Sequence, residues 1–196
     1  AGHGKGLRSY GSQWGGQSAS YHHNLLANNY NRSPRFNGAR SNDINVLLDF
    51  VNNVNFNWGK ANSTYGGDID AKGKTHRCNM INNYYKPGPA RPGTSSSFFV
   101  QSSFHAEQTT SKIAQWHMSG NFMEGSANAA LNQDNYLGLD ASAYTGRSID
   151  KSALIAAQPF EVPYQLRIES AQEAYESGLA GAGAFPRDTV DLRILR

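Results

Sequence analysis

Two arginines flank a proline near the front of the chain, in the segment Arg32-Ser33-Pro34-Arg35. Guanidinium groups bind carboxylates and phosphates through paired hydrogen bonds, so two of them in one loop suit an anionic substrate. The proline fixes its own φ and restricts the residue before it to extended conformations. Such a loop would aim both arginines from a stiff backbone. The tripeptide His22-His23-Asn24 ends eight residues before Arg32 and reads as the end of a strand.

A weak internal repeat indicates how this loop is positioned. Asn24, Asn53 and Asn83 recur at spacings of 29 and 30 residues beside apolar or alternating runs, and Asn121 follows 38 residues later. Periods of this size are typical of solenoids. Stacked parallel strands about 4.8 Å apart would place these amides one above another, where they would hydrogen-bond up the stack. The alternative is that asparagine is simply common in the turns of any β protein.

Composition favours turn-rich β structure. Only 17% of residues are charged, glycine occurs 20 times, and no long amphipathic helical stretch precedes residue 150. The net charge of +3 comes from scattered residues, so it gives little support for nucleic-acid binding and fits an acidic polymer equally well. The single cysteine, Cys78, excludes an intrachain disulfide and is expected to be a small buried hydrophobe. No apolar run is long enough to span a membrane.

The last part of the chain has a different pattern. Residues 171–180 predict a helix stopped by Gly181 and Gly183, and Pro186-Arg187-Asp188 predicts the start of another. We therefore divide the chain into residues 1–165, the coils and loops of a solenoid, and residues 166–196, a helical tail. The tail is expected to pack on the end or flank of the solenoid.

The motifs resemble those of pectate lyases in polysaccharide lyase family one, where a His-His-Asn element precedes an Arg-x-Pro motif. Further stretches that look like pieces of bacterial members, in the same order, are residues 65–68, 82–89, 120–125 and 182–191. The resemblance implies an all-β, right-handed parallel β-helix. It also implies a secreted or periplasmic enzyme that cleaves pectate, that is polygalacturonate, by β-elimination.

The resemblance implies catalytic or substrate-binding roles for three residues. Arg32 stands at the position of the catalytic base, which removes the C5 proton of a galacturonate unit. Lys5, 27 residues earlier and close to one solenoid turn away, matches a lysine that binds the carboxylate of that unit. Many relatives have a second arginine five residues after the base, but Asn37 occupies that position here. Arg35 is the expected substitute for binding a uronate carboxylate.

The resemblance also implies calcium, with ligands that lie mostly upstream of the first residue of this chain. The local aspartates match no ligand motif, so no metal ligand is assigned among Asp43, Asp49, Asp68 and Asp70. The chain is expected to be the C-terminal portion of a longer protein, with its missing N-terminal segment as a partner. Two adjacent histidines on a strand would point to opposite faces, so they are not expected to share a metal.

Three alternatives stay open at this point. A pectin lyase acting on methyl-esterified polymer would need no calcium and would favour a less cationic, more aromatic groove. A β-helix that only binds acidic polysaccharide would need the same cations without turnover. A fragment without its front coils would be inert by itself. The sequence leaves open the preferred degree of methylation, endo or exo action, and product length.

Overall fold

The computed structural model describes residue 4 and residues 9–59, 63–91, 98–105, 113–183 and 185–194. Lys5 lies outside these ranges, so its predicted role stays a prediction. The described part consists mainly of short strands, and its two α-helices both come after residue 170.

The strands form three sheets, and every strand pairing among the described residues is parallel. The first sheet contains, in order, β1 (Gln13–Trp14), β4 (Arg35–Phe36), β7 (Thr64–Gly66), β10 (Val100–Ser102) and β13 (Leu139–Asp140). The second sheet contains β2 (Ser18–His22), β5 (Asn45–Val51), β8 (Thr75–Ile81) and β11 (Gln115–Ser119). The third sheet contains β3 (Leu25–Ala27), β6 (Val54–Phe56), β9 (Tyr84–Lys86) and β12 (Phe122–Met123). The protein is a parallel β-helix with a short helical tail, as predicted.

Side chains that point inward from the second sheet form rows along the solenoid axis. Leu48, Cys78 and Trp116 are aligned in register and are all fully buried. Phe50 and Met80 form the next inward row, also fully buried. Because side chains alternate between faces, the residues between them point outward. The prediction that Cys78 is a buried, free cysteine is confirmed.

The asparagine repeat forms a continuous ladder at the turn between the second and third sheets. The side-chain oxygen of Asn53 accepts hydrogen bonds from the backbone N and Nδ2 of Asn24 at 3.1 and 2.8 Å. The same two bonds link Asn53 to Asn83, Asn83 to Asn121, and Asn121 to Asn135. The predicted stacking is confirmed. The last member, Asn135, lies 14 residues after Asn121 and breaks the period, so the repeat did not reveal it.

The segment 132–152 is rich in Asn, Asp, Gly and Ser but contains regular structure. It contains β13 and parts of four short 3₁₀ helices: Ala129–Asn132, Asn135–Gly138, Ser142–Tyr144 and Lys151–Leu154. Asp134 and Asp150 accept hydrogen bonds from backbone N–H groups at the starts of two of these helices. Leu131, Tyr144 and Leu154 of these helices are buried in the core, and the two aspartates cap two of the four helices.

The chain then runs across the outer face of the second sheet. The backbone N of Ala156 donates to the oxygen of Trp116 at 2.9 Å. Farther along, the side chain of Asn79 both donates to and accepts from the backbone of Phe160. Asn52 and Asn82, one coil apart, both donate to the carbonyl oxygen of Glu169. The segment is therefore bonded to three successive coils.

The tail ends in two helices, α1 (Ala171–Gly181) and α2 (Thr189–Ile194). Ser170 and Glu173 form a capping box at the start of α1. Ala171, the first residue of α1, packs with Val54 and Tyr84 of the third sheet. In the described residues, neither helix has the length and apolar character needed to cross a membrane.

His76 gives the fold a predictable response to acid. Its side chain is 1% exposed, and neither ring nitrogen has a hydrogen-bond partner among the described residues. Burial lowers its pKa to about 3. Below the ordinary histidine pKa of about 6.5, His76 takes up a proton in the unfolded chain but not in the folded chain. The folded state therefore loses stability relative to the unfolded state as the pH falls from about 6.5 towards about 3.

We therefore expect the free energy of unfolding to fall by about 1.4 kcal/mol per pH unit in this range because of His76 alone. Urea unfolding at several pH values, compared between the wild type and His76→Leu, isolates this effect. The variant should have the shallower pH dependence. Equal slopes in wild type and His76→Leu would contradict a neutral, buried His76.

Candidate active site

The outer face of the first sheet carries a continuous row of polar side chains. Five residues are aligned in register, one from each strand: Gln13, Arg35, Tyr65, Gln101 and Asp140. Their neighbours along the strands, such as Phe36 and Val100, are fully buried in the core. With rungs about 4.8 Å apart, the row forms a polar strip along the axis, long enough to contact several units of a linear polymer.

Arg32 lies in the turn that leads into β4, at one edge of this strip. Its backbone adopts the left-handed region with φ of 62°, and its N–H donates to the side-chain oxygen of Asn31 at 2.8 Å. Its guanidinium lies over the ring of Tyr10, 4.8 Å from the centroid. In the described ranges no carboxylate forms an ion pair with it, and its buried Nε has no acceptor. Arg32 is therefore a cation without a counter-ion in the described part of the chain.

Neighbouring coils hold the backbone of this turn on both sides. The N–H groups of Gly11 and Ser12 donate to the carbonyl oxygens of Asn31 and Arg32 at 2.8 and 2.9 Å. On the other side, Ser33 donates to Ser63 at 2.9 Å. A Cβ added to Gly11 would lie 2.4 Å from the oxygen of Arg32, so the close approach of the coils requires glycine.

Arg35 is placed on the strip, but its charge is shared. Its Nη2 lies 3.4 Å from a carboxylate oxygen of Asp68, and Nη1 of Arg40 lies 3.3 Å from the other oxygen. The guanidinium of Arg35 also lies over the ring of Tyr65. The two arginines and one buried carboxylate leave a net positive charge at the edge of the strip. A uronate carboxylate bound by Arg35 would therefore compete with Asp68 for the same guanidinium.

The carboxylate of Asp68 is expected to be important for stability. Replacing it with Asn leaves two neighbouring arginines, Arg35 and Arg40, without their shared counter-ion. Breaking a largely buried ion pair on one side costs about 3 kcal/mol, so we expect Asp68→Asn to lower the free energy of unfolding by about 2–3 kcal/mol. Urea unfolding measures this directly. Asp43→Asn, in a nearby turn and without an ion pair among the described residues, is the matched control and should change stability by less than about 0.5 kcal/mol.

The two histidines do not lie as predicted. β2 ends at His22, and His23 already has a φ of 53°, so the strand alternation between faces stops there. The Nδ1 atoms of the two rings are 2.9 Å apart, and Nε2 of His23 lies 3.6 Å from a carboxylate oxygen of Glu169. The prediction of opposite faces was wrong, because the turn that begins the asparagine ladder rotates His23 towards His22.

The aspartates that the sequence left unassigned do not form a calcium site. Asp68 is bonded to two arginines, and Asp70 to Lys74 at 2.7 Å. Burial raises the pKa of Asp49, which accepts a hydrogen bond from an asparagine of the next strand. Calcium prefers six to eight oxygen ligands with several carboxylates together. In the described residues, no three His, Cys, Asp or Glu side chains converge on one point. The residues that the structure describes therefore do not fit calcium.

The structure brings Arg32 and Arg35 to one strip, whereas Lys5 lies outside the described residues. The sequence did not reveal that Tyr10 underlies Arg32 or that Asp68 pairs with Arg35. The second pairing had a signal: Asp68 follows Arg35 by 33 residues, about one solenoid period, so the two belong to adjacent coils. Such pairs can be found in the sequence by looking for opposite charges one solenoid period apart, as was done for the asparagines.

Curated relatives cover most of this chain. A protein of Aspergillus terreus named probable pectate lyase C is 30% identical over 183 residues, which are 92% of this chain and 36% of that protein. A protein of Aspergillus flavus with the same name is 26% identical over 176 residues, 88% of this chain and 34% of that protein. The chain thus spans about a third of the length of these relatives. No family model matches the chain.

Proposed function

We propose that the chain is part of a pectate lyase that cleaves polygalacturonate by β-elimination, with Arg32 as the base. One observation carries this proposal: Arg32 lies at the edge of a polar strip with no counter-ion among the described residues, in a chain whose relatives are named probable pectate lyase C. The strip of the first sheet offers amide, phenol and guanidinium groups to a linear, carboxylated polymer.

The reaction needs a base near C5 and positive charge near the carboxylate. Removal of the C5 proton leaves electrons that form the C4–C5 double bond, while the glycosidic oxygen at C4 departs with its electron pair and is protonated. The new end of the polymer is an unsaturated uronate. Positive charge at the carboxylate acidifies the C5 proton and stabilises the developing enolate-like charge.

An arginine base needs help from its surroundings, because a guanidinium normally remains charged. Arg35 and Arg40, which share the carboxylate of Asp68, place two further cations on the same coil. In this proposal Arg35 and Lys5 bind uronate carboxylates, and Arg35 does so while also contacting Asp68. Calcium dependence and secretion are further parts of the proposal that rest on the resemblance alone, and any calcium ligands would come from outside the described residues.

The test is incubation with polygalacturonate, with calcium and then with a chelator, while the ultraviolet absorbance of unsaturated uronate is followed. Calcium-dependent absorbance is expected, in this chain or in the chain extended to the length of its relatives. Equal turnover of methyl-esterified pectin with chelator present would favour a pectin lyase. Retention on pectate without absorbance in either form would contradict the lyase and favour a binding protein.

A further inference from the structure

A polar cavity lies on the outer face of the second sheet, whereas Arg32 lies beside the first sheet. It has a volume of about 620 Å³, within the range of about 300–1,000 Å³ that is usual for ligand sites. Its lining consists of Asn45, Lys74, Thr75, His76, Arg77, Ile113 and Gln115. Apart from His76, which is buried in the core, the strand residues among them have the outward orientation of their sheet.

Arg77 is the principal cation of this cavity. Its guanidinium lies over the ring of Phe160 at 5.7 Å, which holds the side chain against the segment that crosses the sheet. Its Nε is buried and has no acceptor, and no carboxylate in the described ranges forms an ion pair with it. A buried charged donor without an acceptor is costly, so the geometry favours an anion that supplies one.

The rest of the lining adds charge and neutral hydrogen-bonding groups. Lys74 contributes a second cation at the rim, although its Nζ is bonded to Asp70 at 2.7 Å. Thr75, two residues before Arg77 on β8, offers a hydroxyl oxygen whose own proton is donated to Asn45 at 3.2 Å. Gln115, paired with Arg77 on the adjacent strand β11, offers an amide. One unpaired guanidinium among neutral polar groups fits a sugar that carries a single carboxylate.

The cavity is also linked to the strip of the first sheet. Arg40, which shares Asp68 with Arg35, begins the turn that leads to the second sheet. The next residue of that turn, Ser41, accepts a hydrogen bond from Lys74 at 2.6 Å. Positive side chains therefore follow one another around this turn, from the proposed active site to the cavity.

From these observations we propose that the cavity around Arg77 is a second binding site for uronate, which holds polygalacturonate on a face other than the active-site strip. The guanidinium of Arg77 binds the carboxylate, and Thr75 and Gln115 bind sugar hydroxyls. This inference rests on the proposed function for its ligand, since the substrate class comes from there.

The test is a titration of the ¹⁵N-labelled chain with trigalacturonate, followed by NMR in the presence of a chelator. The backbone amides of Thr75, Arg77 and Gln115 are expected to shift, and they should not shift with the fully methyl-esterified trisaccharide. Arg77→Gln should weaken binding at these amides about tenfold, as expected for one charged hydrogen-bonded pair. Arg193→Gln, which removes an exposed arginine of α2, should leave the binding unchanged.

Arg77→Lys provides a second variant if the glutamine variant folds poorly. It keeps the charge but loses the planar fork, so binding is expected to weaken to an intermediate extent. Absence of shifts at these amides, equal shifts with the methyl ester, or wild-type affinity in both Arg77 variants would each overturn the inference. Activity is a separate readout: shifts without turnover contradict the lyase and keep the site, whereas turnover without shifts contradicts the site alone.

Discussion

Arg32→Ala is expected to lower the rate of unsaturated uronate formation by at least about a thousandfold, the upper part of the range for a general base. The side chain makes no ion pair in the described part of the chain, and its stacking on the exposed ring of Tyr10 is worth about 0.5–1 kcal/mol. Loss of activity in the variant would thus not come from loss of the fold. The measurement is initial velocity on polygalacturonate, in the form of the protein that turns it over.

Arg147→Ala is the matched control for this experiment. Arg147 is exposed and its guanidinium also lies over an aromatic ring, that of Phe104 at 4.0 Å. Its replacement removes the same type of contact far along the chain and should leave the velocity unchanged. Arg32→Lys tests the guanidinium itself, because it keeps a positive charge near the strip. Velocity within a factor of about ten of wild type in Arg32→Ala would show that Arg32 is not the base.

The sequence was sufficient for the fold because one requirement recurs in every coil. The buried turn between the second and third sheets has backbone donors that need acceptors, and an asparagine in each coil supplies one. Because of this requirement, asparagine recurs at spacings of 29 and 30 residues, and the repeat is visible in the sequence alone. The helices of the tail were predictable for a similar reason, since a capping residue such as Ser170 is a local signal.

The sequence was less informative about the candidate site, because its contacts join different coils through turns of variable length. The orientation of His23 follows from one left-handed residue at a strand end, which strand periodicity does not predict. The pairing of Arg35 with Asp68 joins residues from two coils, so the sequence reveals it only when the solenoid period is applied to charged residues.

The asparagine ladder leads to the second large expected effect, which concerns stability. Asn83 is fully buried and makes four side-chain hydrogen bonds. Its oxygen accepts two from Asn53, and its Nδ2 donates to the carbonyl oxygen of Phe50 and to Asn121, both at 2.8 Å. Asn83→Ala would leave these partners unsatisfied in the core. We expect the free energy of unfolding to fall by about 3–5 kcal/mol, as for the loss of a buried hydrogen-bond network.

Urea unfolding of Asn83→Ala and Asn24→Ala separates the role of the ladder from the general cost of removing an asparagine. Asn24 is half-buried at the end of the ladder. Among the described residues no further asparagine donates to its side-chain oxygen, as Asn53 does to that of Asn83. Its loss should therefore cost about 1 kcal/mol. Asn83→Asp keeps the acceptor but removes both donors and adds a buried charge, so it should be at least as destabilising as Asn83→Ala. Similar losses for the two alanine variants would mean that the stack contributes no more in the core than at its end. A much larger loss at Asn83 would mean that the residue type that reveals the fold in the sequence also stabilises it.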